Sequence, residues 1–198
     1  MTETAEHRLL RELAAVWLRG RGCKEIAFEV FVHGFNHRYQ GGVAKRYRYV
    51  ADVVGASVRY RPYETGVPSE SRRFYDIWCV EAKVSRSDFE AGFVYDGANR
   101  SYLITLPNLV DPKELPAQVG LIEVDPDNFQ VLGWNKRIPP TPTVHGMVIR
   151  KNARYREIDQ STVESTRRRI ADRASASLIY TLLGKYSPYS SSSETGTH

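Results

Sequence analysis

The sequence predicts an α/β fold: a mixed β-sheet flanked by helices, with a C-terminal helical extension. Three observations point there. An amphipathic helical pattern opens the chain, three β-type runs follow, and a capped short helix then leads into further short strands. The order helix, three strands, helix, strands fits an α/β sandwich built around a mixed sheet.

The elements follow in order. Residues 3–20 place Leu9, Leu10, Leu13, Val16 and Trp17 on one helical face at ~100° per residue. Glu6 falls near the centre of that face, Glu12 to its side. Two explanations of Glu6 stay open: favourable contact with the helix dipole, or an inward-facing catalytic carboxylate. Gly20 and Gly22 end the helix. Residues 24–33 alternate as a strand, with Ile26, Phe28, Val30 and Val32 on one face and Ala27, Glu29 and Phe31 on the other. After a turn over 34–42, residues 46–54 form a second strand whose apolar end holds Asp52, a residue type disfavoured in strands and costly when buried. A polar, basic connection over 55–73 contains Pro62, Gly66 and Pro68. The third strand, 74–83, is a short apolar run (Tyr75, Ile77, Trp78, Cys79, Val80) interrupted by Glu81 and Lys83, which share a face because they are two apart.

Ser87-Asp88-Phe89-Glu90 reads as a capping box opening a short helix. Strands are expected at 101–106, 119–124 and 129–134, the last after the Asp125–Asn128 turn. Pro139, Pro140 and Pro142 mark a boundary. A second capping box, Ser161 to Glu164, opens a helix to about Leu183 whose stripe of Val163, Ile170, Ala174, Leu178 and Leu182 is interrupted by Arg167. The chain is therefore expected to divide into a domain over 1–134, a Pro-rich linker and extension over 135–160, a C-terminal helix over 161–185 and a disordered tail over 186–198.

No apolar run approaches the ~20 residues of a membrane span, and no signal segment opens the chain. Two cysteines are too few for a disulfide framework or a cysteine metal cluster. A cytoplasmic, reducing location is the expectation, with Cys23 and Cys79 as buried thiols. Between Arg38 and Arg73, eight Lys/Arg oppose three acids, and five tyrosines are interleaved. Cations among aromatics suit a phosphate backbone and unstacked bases. Lys45, Arg46, Arg48, Arg59, Arg61, Arg72 and Arg73, with Arg86 just past the third strand, are the candidate nucleic-acid contacts; a solvated polar face is the alternative.

An ionisable pair at the end of an apolar strand is costly unless its members serve each other or a metal. Asp52, Glu81 and Glu6 supply carboxylates and Ala82 a main-chain carbonyl, an oxygen set suited to Mg²⁺ or Mn²⁺. Lys83 would orient an attacking water or stabilise charge on a phosphate. Asp111-Pro112-Lys113 also fits an acid-x-Lys pattern, but no apolar strand precedes it.

This Asp, then Glu-x-Lys arrangement resembles the PD-(D/E)XK nuclease superfamily, and Val80–Phe89, Leu115–Asp125 and Arg48–Val54 are similar to segments of its MmcB-like DNA repair branch. The resemblance spans roughly residues 5–134. It implies a restriction-endonuclease-like sheet and a metal-dependent DNA endonuclease active in repair, restriction or mobile-element defence. Asp52, Glu81 and Lys83 match as active-site positions, Glu6 only by its place on the first helix, and Glu29 as a lesser candidate. DNA is the implied partner, with RNA open, and a homodimer is an option for the C-terminal helix. The alternative is a non-catalytic nucleic-acid-binding subunit that keeps the fold. The chain departs from the family in a longer, more basic Asp52–Glu81 connection, in a glycine-rich stretch after Phe89, and from residue 135 onward.

Overall fold

A computed structural model describes residues 4–35, 46–60, 73–93, 95–135 and 141–186, with side chains over 4–32, 49–60, 74–93, 95–130 and 145–177. Helix α1 (Ala5–Gly20) starts at Thr4, whose side chain accepts the His7 N–H and satisfies one of the open donors of the first turn. Strands β1 (Cys23–Phe35), β2 (Arg46–Tyr60) and β3 (Arg73–Lys83) follow as an antiparallel meander. Helix α2 (Arg86–Ala91) then crosses to β4 (Arg100–Thr105) and β5 (Val119–Val124), which run parallel to β3. A hairpin, β6 (Gln130–Asn135) and β7 (Thr141–His145), forms its own two-stranded sheet, β8 (Met147–Lys151) pairs antiparallel with β5, and α3 (Gln160–Tyr186) follows. The main sheet has six strands in the order β1-β2-β3-β4-β5-β8, the mixed α/β sheet flanked by helices that the sequence predicts.

Two layers of core enclose the sheet. Under α1, Leu10, Leu13, Ala14 and Leu18 pack on Val53, Val80, Ala82, Tyr102, Ile104, Ile122 and Val124. Under α3, Val163 and Ile170 pack on Ala27, Val30, Val32, Val54, Ile77 and Cys79. On β4 and β5, Leu103, Val119 and Leu121 pack on Val110 and Leu115, with Phe89 of α2 against them. Gly120 allows the Tyr102 ring to lie on the sheet, since a Cβ there would come within 2.3 Å of it. Cys23 and Cys79 are both buried free thiols, as expected. Among the described residues no helix is long and apolar enough to cross a membrane.

Several boundaries differ from the sequence reading. Strand β2 continues to Tyr60, so the first part of the expected 55–73 connection is ladder, paired through Tyr60–Arg73. The 135–160 segment is no simple linker, because β8 completes the sheet beside β5. Its prolines misled: Pro142 lies in β7, one of only two strands in its own sheet, where a missing N–H is tolerated. Both capping boxes are displaced by two residues. Ser85, not Ser87, caps α2 by accepting the Asp88 N–H, and Asp159, not Ser161, receives the Thr162 N–H at the start of α3. On α3 the expected stripe holds at Val163 and Ile170, but Ala174 is exposed and Leu178 and Leu182 lie beyond the described side chains. The expected disordered tail also lies outside the described residues, apart from Tyr186, the last residue of α3.

Candidate active site at the C-terminal end of β3

The β2–β3 ladder is recorded as far as Val53–Val80, and the next residues are Asp52 and Glu81. Their side chains take over from the backbone ladder there. Asp52 Oδ2 accepts the Ala82 N–H at 2.8 Å, and the Asp52 N–H is bonded to the Glu81 carboxylate. A strand residue turns its N–H and C=O to the same side, so the Ala82 carbonyl is directed at this gap too.

Asp52 reaches the gap because alternation fails once on each of two neighbouring strands. Ala51 and Val54 are three apart, yet both pack in the core beneath α3, as do Ala27 and Val30 on β1. Glu29 lies within the irregularity with a φ of 53°, a left-handed conformation costly for a side-chain-bearing residue. Asp52 is thereby turned off the α3 side toward Ala82 and α1.

Glu81 and Lys83 leave β3 on one face, as their spacing requires. Lys83 is 7% exposed, and its Nζ contacts Asp88 Oδ1 at 3.0 Å. The cap of α2 therefore also holds the lysine. In register beside Lys83 stand Thr105 and then Glu123, at the carboxyl ends of the parallel strands where open α/β sheets bind ligands. Thr105 Oγ1 and Glu81 Oε2 are buried with no hydrogen-bond partner among the described residues. Burial, then the neighbouring Asp52 charge, pushes the Glu81 carboxyl up to about 8, against the pull of Lys83. Burial raises Asp52 as well, although the Ala82 N–H, His7, Arg11 and Lys83 oppose it. The two carboxylates share one poorly solvated gap and titrate as a pair.

Glu6 does not join them. It is solvent-exposed, and among the described residues no three His, Cys, Asp or Glu side chains gather into a metal-holding group. The buried stripe of α1 is Leu10, Leu13, Ala14 and Leu18, rotated by roughly 80° at ~100° per residue from the predicted one. That rotation brings His7 inward instead, with Nε2 3.5 Å from Asp52 Oδ2. Glu29 is exposed and paired with Arg11 and Arg173.

No family model matches the chain, and no curated protein matches it. The fold is similar to that of SPO1766, a protein of unknown function from Silicibacter pomeroyi. The TM-score is 0.52 at 19% identity, over 95% of this chain and 99% of that one. At that identity the likeness speaks for the fold alone.

The expected nucleic-acid contacts are scattered. Arg59 lies seven residues along β2 from Asp52, roughly 23 Å at ~3.3 Å per residue, and is ion-paired with Asp76 at 3.3 Å. Arg86 contacts Glu90 at 2.9 Å and Glu114 at 2.8 Å. Arg46 and Arg48 lie on β2 on the Asp52 side and Arg73 at the far end of β3, placed by backbone alone. Lys45, Arg61 and Arg72 fall outside the described residues. Arg167 forms a bidentate pair with Glu25 and lies over the Tyr75 ring, holding α3 to the sheet. Asp111 caps the turn Pro112–Glu114, which accounts for the second acid-x-Lys pattern.

His7, Asp88 and Thr105 are site residues that sequence reasoning missed. Only Asp88 left a signal: an acid one turn into a capped helix, five residues after the lysine.

Proposed function

We propose that this chain is a divalent-metal-dependent DNA endonuclease that hydrolyses phosphodiester bonds, in a repair, restriction or mobile-element context. The observation that carries the reading is the Asp52–Glu81 pair. Two carboxylates with raised proton affinity, and one buried oxygen without a partner among the described residues, lie beside a buried lysine at the end of parallel strands. Paired acids left this way are costly as structure and well matched to a hard cation.

Asp52, Glu81 and the Ala82 carbonyl would hold Mg²⁺ or Mn²⁺. When bound, the cation withdraws charge from a scissile phosphate and acidifies a water. Lys83, fixed by Asp88, carries its positive charge toward a phosphate oxygen as charge builds there. With the cation absent, the acid pair retains a proton near neutral pH.

The test is cleavage of plasmid, branched DNA and RNA with Mg²⁺ or Mn²⁺, comparing wild type with Asp52→Ala and Lys83→Ala. Wild type should cut and both variants should cut far more slowly; equal cleavage by all three sinks the proposal. One observation favours a second reading, a non-catalytic nucleic-acid-binding subunit: no third acid is grouped with Asp52 and Glu81 among the described residues. Binding with a steep salt slope and no metal-dependent turnover would select it.

A further inference from the structure

Past Asp52, the β1–β2 ladder continues with apolar side chains in the open. Phe31 and Val50 are cross-strand partners, each 44% exposed, and Phe28 is 37% exposed with Arg11 over its ring at 5.3 Å. A cavity of about 650 Å³ along β1 is bordered by Arg11, Phe28, Glu29 and Arg173. A second of about 530 Å³ shares Glu29 and Arg173 and takes in Phe31 and Val50. Single exposed hydrophobic residues need no explanation, but aromatics strung along the outer strand of a sheet beside an acid pair do.

Strand β1 is the edge of the sheet among the described residues, and two of its carbonyls are already claimed. Arg173 donates to the Phe28 carbonyl and Arg169 to that of Phe31. These arginines obstruct addition of a further strand, which argues against an extended peptide as occupant. They also line the edge with cations. Glu29 answers both Arg11 and Arg173, at 3.4 and 2.6 Å, and Asp172 also borders the second cavity. The ladder then carries the pairs His33–Arg48 and Phe35–Arg46, and from His33 to Ala51 the sequence has four Lys/Arg and no Asp or Glu. Exposed rings in a cationic groove suit bases whose faces are free, since stacking on an aromatic requires an unpaired base and phosphates follow the cations.

We infer that Phe28, Phe31 and Val50, rimmed by Arg11 and Arg173, form a platform for unpaired nucleotides that leads a single-stranded segment to Asp52 and Glu81. Its role as a feeder rests on the nuclease reading; its binding does not.

The experiment is fluorescence anisotropy with the full chain in EDTA, using a labelled deoxythymidine oligonucleotide of about 16 nucleotides and a blunt duplex of equal length. Wild type should bind the single strand at least tenfold more tightly. Phe28→Ala and Phe31→Ala should each weaken that binding about tenfold, whereas Phe31→Tyr should bind like wild type. Both rings are substantially exposed, so unchanged thermal melting will verify folding. Equal or tighter duplex binding, no binding, or unaltered binding by both alanine variants overturns the platform. So does a wild-type dimer that Phe31→Ala splits in sedimentation, which would make the patch an interface between two copies. Single-strand binding without cleavage in Mg²⁺ leaves the platform standing and removes the nuclease; cleavage with unaltered alanine-variant binding does the reverse.

Discussion

At the start of β3, Asp76 is buried and answered from two sides: Arg59 approaches its carboxylate at 3.3 Å and the Tyr155 hydroxyl donates to it at 3.3 Å. Next to it, Asn99 accepts the Ile77 N–H at 2.7 Å and donates to the Arg156 carbonyl at 3.0 Å, tying β3 to the segment before α3. At the other end of the same strand, Glu81 shares its gap with a second carboxylate and keeps one buried oxygen without a partner among the described residues, while the nearby lysine is held by Asp88. Both ends bury acids, but among the described residues only the first closes its hydrogen bonds. A closed network rigidifies a fold, whereas an unbalanced one stores affinity for something outside it.

The largest effect should separate chemistry from folding. Lys83→Ala should lower cleavage by about 10²- to 10³-fold, the usual cost of losing one preorganised charge donor. Asn99→Ala, at the closed end, should leave the cleavage rate per folded molecule unchanged. Single-turnover cleavage of the two variants decides this, and an Asn99→Ala protein that folds but does not cut would erase the contrast.

Stability should run the other way. Asn99→Ala orphans a buried N–H and a carbonyl and should cost about 2–3 kcal/mol, a fall of about 4–12 °C in Tm for a chain this size. Glu81→Gln removes one of two repelling carboxylates and should stabilise the metal-free protein at pH 8 by on the order of 1–3 kcal/mol. Thermal melts in EDTA measure both. A destabilised Glu81→Gln would mean that the acid pair is structural after all.

The same imbalance sets a pH dependence. The folded carboxyl of Glu81 is raised to about 8 from an ordinary 4.5, so its contribution is fully present below pH 4.5. As pH climbs, the unfolded chain ionises first, and stability falls by at most about 1.4 kcal/mol per pH unit until the folded group ionises near 8. Asp52, also raised, acts in the same direction. Metal-free Tm should therefore drop between pH 5 and 8. Added Mg²⁺ should raise Tm more at pH 8 than at pH 5.5, because the cation replaces a proton. A pH-independent Tm with no Mg²⁺ response would show that the gap holds no cation.

Much of this contrast was legible in the sequence, and the rest was hidden for identifiable reasons. Asp52, Glu81 and Lys83 announced themselves because charges inside apolar strand ends violate the pattern around them. Strand period then fixed Glu81 and Lys83 on one face. The closed end gave no warning: Asp76 and Asn99 are satisfied by Arg59, Tyr155 and Arg156, partners 17 to 79 residues away that no local pattern links. The break in alternation that turns Asp52 is invisible too, since Glu29 is an unremarkable strand residue until its φ is known. Strand β8 was obscured by the prolines before it, although Met147, Val148 and Ile149 are ordinary strand formers.

The finest distinction lies within the first turn of α1. Five apolar residues predicted one buried stripe; the fold selects another by burying Ala14 and Leu18, small and large residues that meet the sheet beside Cys23 and Gly55. Glu6 is left in solvent, and its acid can act only on the helix dipole, so Glu6→Ala should cost about 0.3–1 kcal/mol and change cleavage less than about twofold. His7 touches Asp52 from a half-buried position, so His7→Ala should change stability by less than about 1 kcal/mol. It should nevertheless lower cleavage by about three- to tenfold, through a less well positioned Asp52. Parallel kinetics and melts of the two variants measure the rotation of the helix. If Glu6→Ala proved the more damaging, the predicted stripe would be the buried one in solution, and a third carboxylate would belong beside Asp52 and Glu81.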